Sequence, residues 1–82
     1  MTIQSCTEVI NTGGDWESVA TLTSITFTSG NTYNMQIQKS AYLKIGDAVF
    51  SFNNEKFDYK AGSDTLYIKT NDSCVLSILE VE

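Results

Sequence analysis

Apolar and polar residues alternate along most of this chain in short runs, broken by turn residues at spacings near ten. Thr32 to Gln38 is the cleanest run, with Tyr33, Met35 and Ile37 on one face and Asn34, Gln36 and Gln38 on the other. A period of two is the signature of a half-buried strand. Leu22 to Thr28 carries Leu22, Ile25 and Phe27 among threonines, and its step from 22 to 25 suggests a bulge or bend. Ser29-Gly30-Asn31 between these runs predicts an antiparallel hairpin, because Gly30 can take positive φ.

Tyr42 to Ile45 and Ala48 to Phe52 flank Gly46-Asp47, a second hairpin turn with glycine in first position. Asn53-Asn54 predicts the next reversal, since Asn tolerates the left-handed region. Phe57 and Tyr59, Leu66 to Lys69, and Cys74 to Val81 supply further strands. Ile3 to Ile10 and Trp16 to Ala20 are weaker ones around Asn11-Thr12-Gly13-Gly14-Asp15. No stretch shows helical apolar spacing over three turns. The pattern predicts seven to nine short strands in an all-β fold. Residues 1–82 are expected to form one small antiparallel β-sandwich of Greek-key or jelly-roll type. Its predicted core draws on Leu22, Ile25, Phe27, Tyr33, Met35, Ile37, Phe50, Phe52, Leu66, Ile68, Leu76 and Ile78.

The 82 residues suit one domain and leave no room for a second. Ser, Thr and Asn fill 25 positions, a bias toward strands and turns that agrees with the pattern. His, Arg and Pro are absent. Without His there is no side chain titrating near neutrality and no imidazole ligand. Without Arg there is no planar fork for phosphate. The five cations, all lysines, stand against ten carboxylates for a net charge of −5. Such a chain is on balance repelled by nucleic acid and by anionic membranes, so neither is expected as a partner. No window reaches the ~20 apolar residues of a membrane span, and the N-terminus lacks a signal-peptide pattern, so cytoplasmic synthesis is expected.

Catalysis lacks its parts. Cys6 and Cys74 have no His to deprotonate them, and nothing places two of the scattered carboxylates in one cleft. The protein is read as a non-enzyme without cofactor. Asp15, Glu17, Asp47, Asp64 and Asp72 lie near turns but lack EF-hand spacing, so no metal site is assigned. The two cysteines read as free thiols acting as small hydrophobes, although terminal strands of a sandwich can also be neighbours. Trp16 with Tyr33, Tyr42, Tyr59 or Tyr67 is a candidate sugar-stacking platform, although the alternation of Tyr33 and Tyr59 fits one face of a packed sheet. Trp16, Tyr42 and Tyr67 are the candidate ligand or interface residues, and a carbohydrate-binding module is one reading of them. Nine aromatic residues exceed what one thin core holds, which predicts a homo-oligomer.

The order of motifs adds a resemblance. Trp16-Glu17-Ser18-Val19 precedes Ile25-Thr26-Phe27-Thr28-Ser29-Gly30-Asn31-Thr32-Tyr33-Asn34-Met35-Gln36. Ala61-Gly62-Ser63-Asp64-Thr65-Leu66-Tyr67-Ile68-Lys69-Thr70 and Cys74-Val75-Leu76-Ser77-Ile78-Leu79-Glu80 follow. Over Trp16 to Glu80 the chain resembles small β-sandwich virion proteins of tailed bacteriophages, the type found as capsid decorations, head fibres or tail appendages. The resemblance implies a structural or accessory component of the particle, assembled in the host cytoplasm and contacting other virion proteins, with glycan as a further ligand. It carries no catalytic residues, and the two cysteines lie outside its pattern.

Overall fold

The computed structural model describes residues 4–81. Six strands and one short helix follow in the order β1 (Ser5–Ile10), β2 (Glu17–Ser18), α1 (Val19–Thr23), β3 (Thr32–Ile45), β4 (Ala48–Lys60), β5 (Leu66–Lys69) and β6 (Cys74–Glu80). All pairings are antiparallel, so the all-β expectation holds.

The architecture grows from one long hairpin. β3 and β4 pair from Thr32↔Lys60 to Ile45↔Ala48, closed by Gly46-Asp47 as the sequence predicts. Gly46 has φ 58°, the positive value that the first position of such a turn requires. The other edge of β3 is shared. Its first half, Tyr33 to Gln38, pairs with β6, and its second half, Tyr42 to Ile45, pairs with β5. β1 then adds to β6 and β2 to β5. The single sheet thus divides into two four-stranded halves, β1-β6-β3-β4 and β2-β5-β3-β4, whose inward side chains meet in one core.

The division falls at one line crossing the chain four times. In the hairpin it is a bulge, where the register shifts between Ile37 and Ser40 and both Lys39 (φ 73°) and Asn54 (φ 51°) are left-handed. The Asn54 Oδ1 accepts from the Lys39 amide at 2.8 Å, which joins the two unusual residues. Beside them, the 70–73 segment interrupts β5 and β6, and the 11–16 segment interrupts β1 and β2. These two turns lock reciprocally. The Thr12 amide donates to Thr70 Oγ1 and the Thr70 amide to Thr12 Oγ1, each at 2.9 Å and buried.

The core holds Tyr33, Met35, Ile37, Leu43, Ile68 and Leu76, all within 1% of full burial, with Ile25, Leu66 and Ile78 close behind. Several expectations are corrected. Asn53-Asn54 is no reversal: the left-handed preference of Asn serves a bulge inside a continuous β4. The runs Ala48 to Phe52 and Phe57 to Tyr59 are therefore one strand, β4, as Thr32 to Gln38 and Tyr42 to Ile45 are one in β3. Six strands thus form among the described residues rather than seven to nine, and no hairpin forms at Ser29-Gly30-Asn31. Leu22 to Thr28 is not a strand. Ser18 Oγ accepts from the Thr21 amide to start α1, and a left-handed Ser24 ends it. The broken alternation between 22 and 25 marks that end. An irregular segment then carries Ile25 and Phe27 inward, and Phe27 packs edge-on against Tyr33 and Tyr59. The expected strand at Trp16 to Ala20 shrinks to Glu17–Ser18.

Leu22, Phe27 and Phe52 are only half-buried, and Phe50 is 47% exposed although it lies opposite the buried Leu43. Val19, Ala41, Leu43, Tyr59, Ala61, Cys74 and Ile10 join the core instead. Ile3, at the start of the first expected strand, lies outside the described residues.

Candidate interaction surfaces

Two surfaces gather apolar or aromatic residues, apart from the exposed Val9, Leu79 and Val81 elsewhere on the molecule. The first is the outward face of the β2-β5-β3 half, where Trp16, Tyr42 and Tyr67 come together. Tyr42 lies opposite Lys69 and Lys44 opposite Tyr67 across β3 and β5, and Tyr67 lies opposite Ser18 across β5 and β2. Trp16, one step before β2, continues this register to the Lys69 level. The Lys69 ammonium lies 5.0 Å from the Trp16 ring centre and 5.4 Å from that of Tyr42, and the Lys44 ammonium is 5.8 Å from Trp16. These are cation–π distances. Tyr42 and Tyr67 remain 39% and 37% exposed as residues.

Sequence reading singled out the three aromatic residues and missed the two lysines. The alternation of Tyr42 with Lys44 and of Tyr67 with Lys69 places each pair on one face. Only the pairing of β5 with β3, invisible in a single sequence, sets them side by side.

The second surface is β4. One edge pairs with β3 and, among the described residues, the other pairs with no strand. From Ala48 to Asn54 it carries no charge, and Val49 (55% exposed) and Phe50 project from it. Phe52 and Phe57 stack across the fold line with ring centres 4.3 Å apart. Leu43, Ile45, Phe50, Phe52, Phe57 and Leu66, with Tyr59 and one carboxylate, Asp58, line a mainly apolar groove of 240 Å³ beside β4. From Glu55 to Lys60 the same strand carries Glu55, Lys56, Asp58 and Lys60, the charged pattern that discourages edge pairing.

The thiols are separate and free. Cys6 lies opposite Ile78, and Cys74 opposite Ile10. Four residues of strand, about 13 Å, separate their levels, beyond the about 6 Å between the Cα atoms of a disulfide. Burial raises both thiol pKa values, and for Cys6 the Glu8 carboxylate adds to it. Among the described residues no three His, Cys, Asp or Glu side chains gather as a metal site. Asp15, Glu17, Asp47, Asp64 and Asp72 do not converge. No helix of the described residues is long and apolar enough to cross a membrane.

This arrangement, two antiparallel halves made from ribbons that bend together, is the logic of a double-stranded β-helix. The chain is similar in fold to a de novo designed double-stranded β-helix solved by solution NMR, with a TM-score of 0.67 and 12% identity over 94% of this chain and 97% of that one. At that identity the likeness speaks for the fold alone. No protein-family model matches the chain, and no curated protein matches it.

Proposed function

We propose that this protein is a non-enzymatic structural or accessory component acting through protein–protein contacts, a second copy of itself among them. The free, uncharged half of β4 carries this reading. An inward-facing phenylalanine left 47% exposed beside an open apolar groove is surface that association would bury. The resemblance of Trp16 to Glu80 to virion β-sandwich proteins supports the narrower reading, a component of a tailed-phage particle. Proteins of symmetric particles work by repeated contacts of this kind. The neighbouring open reading frames test that narrower reading. Capsid, portal or tail genes alongside are the expected result, and a polysaccharide-utilisation cluster would overturn it.

The second reading is a carbohydrate-binding module. The observation favouring it is the convergence of Trp16, Tyr42 and Tyr67 on one exposed sheet face, since sugar rings stack on aromatic faces of this kind.

A further inference from the structure

The geometry points to the Trp16 face as a binding platform for an acidic polysaccharide, one carrying uronic carboxylates; this inference rests on the carbohydrate-binding reading. The protein is acidic overall, at −5, yet two of its five lysines stand on this face. The outward positions at the two paired levels are Trp16, Lys69, Tyr42 and Ser51, then Ser18, Tyr67, Lys44 and Val49. No carboxylate is among them, and the bordering ones are Asp15 and Glu17 on either side of Trp16 in the chain and Asp72 in the groove that Tyr42 lines. A ligand drawn here is therefore anionic, and it must also offer an apolar face to the rings.

The rings do two different jobs. Trp16 is engaged by both ammoniums, and Lys69 lies between the Trp16 and Tyr42 rings, so its long side chain is held before any ligand arrives. Ordering an ammonium in advance lowers the entropy lost on binding. Tyr67 and the remaining surface of Tyr42 offer the stacking faces for the C–H side of a sugar ring. Trp16 and Tyr42 stand two strands apart, roughly 10 Å, so the platform extends beyond a single small ring.

The other anionic polymers fit less well. A peptide is captured most readily by backbone pairing at a sheet edge, but here β5 is enclosed between β2 and β3. A duplex nucleic acid carries one phosphate per about 1.7 Å of axis, denser than the charge of a polyuronate, so the net −5 of the protein opposes it more strongly. A polyuronate carries one carboxylate per sugar, which suits two lysines on a flat face.

The test is titration of the intact 15N-labelled protein with a tetragalacturonate and with neutral cellotetraose, followed by amide shifts. The expected result is saturable shifts confined to residues 16–18, 42–44 and 67–69 with tetragalacturonate. Affinity should fall steeply between 50 and 200 mM salt and drop at least tenfold in a Lys44→Gln/Lys69→Gln variant that keeps its strand spectrum. Tyr67→Ala, which leaves both lysines in place, should also weaken binding. Shifts with cellotetraose alone would overturn the acidic ligand while leaving the carbohydrate reading intact. No shifts with either sugar would overturn both. Binding of a polyglutamate peptide at this face, without tetragalacturonate binding, would reassign the face to a protein ligand and overturn the inference.

Discussion

Tyr33 and Glu80 are cross-strand partners on β3 and β6, and the tyrosine hydroxyl lies 3.0 Å from the carboxylate Oε2. Both are buried. The hydroxyl accepts from the Thr28 amide at 2.7 Å, and its single proton is directed either to Glu80 or to the Thr26 carbonyl, 3.2 Å away. Asn31 donates to Oε2 and the Gln4 amide to Oε1, both at 3.3 Å. These bonds, Asn31 foremost, hold the Glu80 carboxyl below its ordinary pKa. One carboxylate thus ties the irregular 24–31 segment and the start of β1 to the end of β6.

Because its folded pKa is lowered, Glu80 contributes stability that is present above the ordinary value near 4.5 and is lost as pH falls through the folded value. Urea unfolding of the wild type should therefore weaken steeply below that pH, and a Glu80→Gln variant should show a shallower acid loss. At neutral pH, Tyr33→Phe should cost about 1–3 kcal/mol by stranding the Thr28 amide. A Glu80→Gln profile identical to wild type would contradict this.

The bulge makes a second prediction. Asn54 sits at φ 51°, where a β-branched residue is strained by about 1–2 kcal/mol. Asn54→Val should lose that amount plus the bond to the Lys39 amide. Asn54→Gly, which loses the bond but relieves the backbone, should lose less. Chemical denaturation of the two variants in parallel gives the ranking, and the reverse order would refute the bulge.

Ile68 is fully buried and Phe50 is not, so the smaller residue should matter more to the fold of a single chain. Ile68→Ala should cost about 2–5 kcal/mol. Phe50→Ala, compared at concentrations where the wild type is monomeric, should cost clearly less. Equal losses in thermal or urea unfolding would place Phe50 in the core after all.

Cys6 and Cys74 should both react with a thiol reagent in denaturant without reductant. In the native protein, reaction should begin only at higher pH than for an unhindered thiol, since burial opposes the thiolate at both sites. Finding no free sulfhydryl in denaturant would contradict the strand register that separates them.

Much of the fold was legible in the sequence. The period-two runs at Thr32 to Gln38 and Leu66 to Lys69 are strands, the run from Cys74 is one as far as Glu80, and Gly46-Asp47 is a hairpin turn. What misled was local chemistry with two meanings. Asn54 prefers the left-handed region whether the chain reverses or bulges, and only the continuous β3–β4 register decides. Leu22 and Ile25 read as a strand with a bend because a five-residue helix is too short to show its period. Alternation puts Phe50 on the inward face but does not fix whether anything covers that face, and Phe50 stays 47% exposed. For the same reason, Trp16, Tyr42 and Tyr67 could be singled out as types, while their meeting with Lys44 and Lys69 depends on long-range pairing.

The claim that this protein works through contacts at β4 is tested most directly by sedimentation equilibrium of the wild type and a Val49→Lys/Phe50→Ser variant across micromolar concentrations. The wild-type mass should rise above the 9.1 kDa monomer with concentration, while the variant, with its strand spectrum unchanged, should stay at 9.1 kDa. A wild type that remains at 9.1 kDa to high micromolar concentration, or a variant that associates equally well, would contradict it.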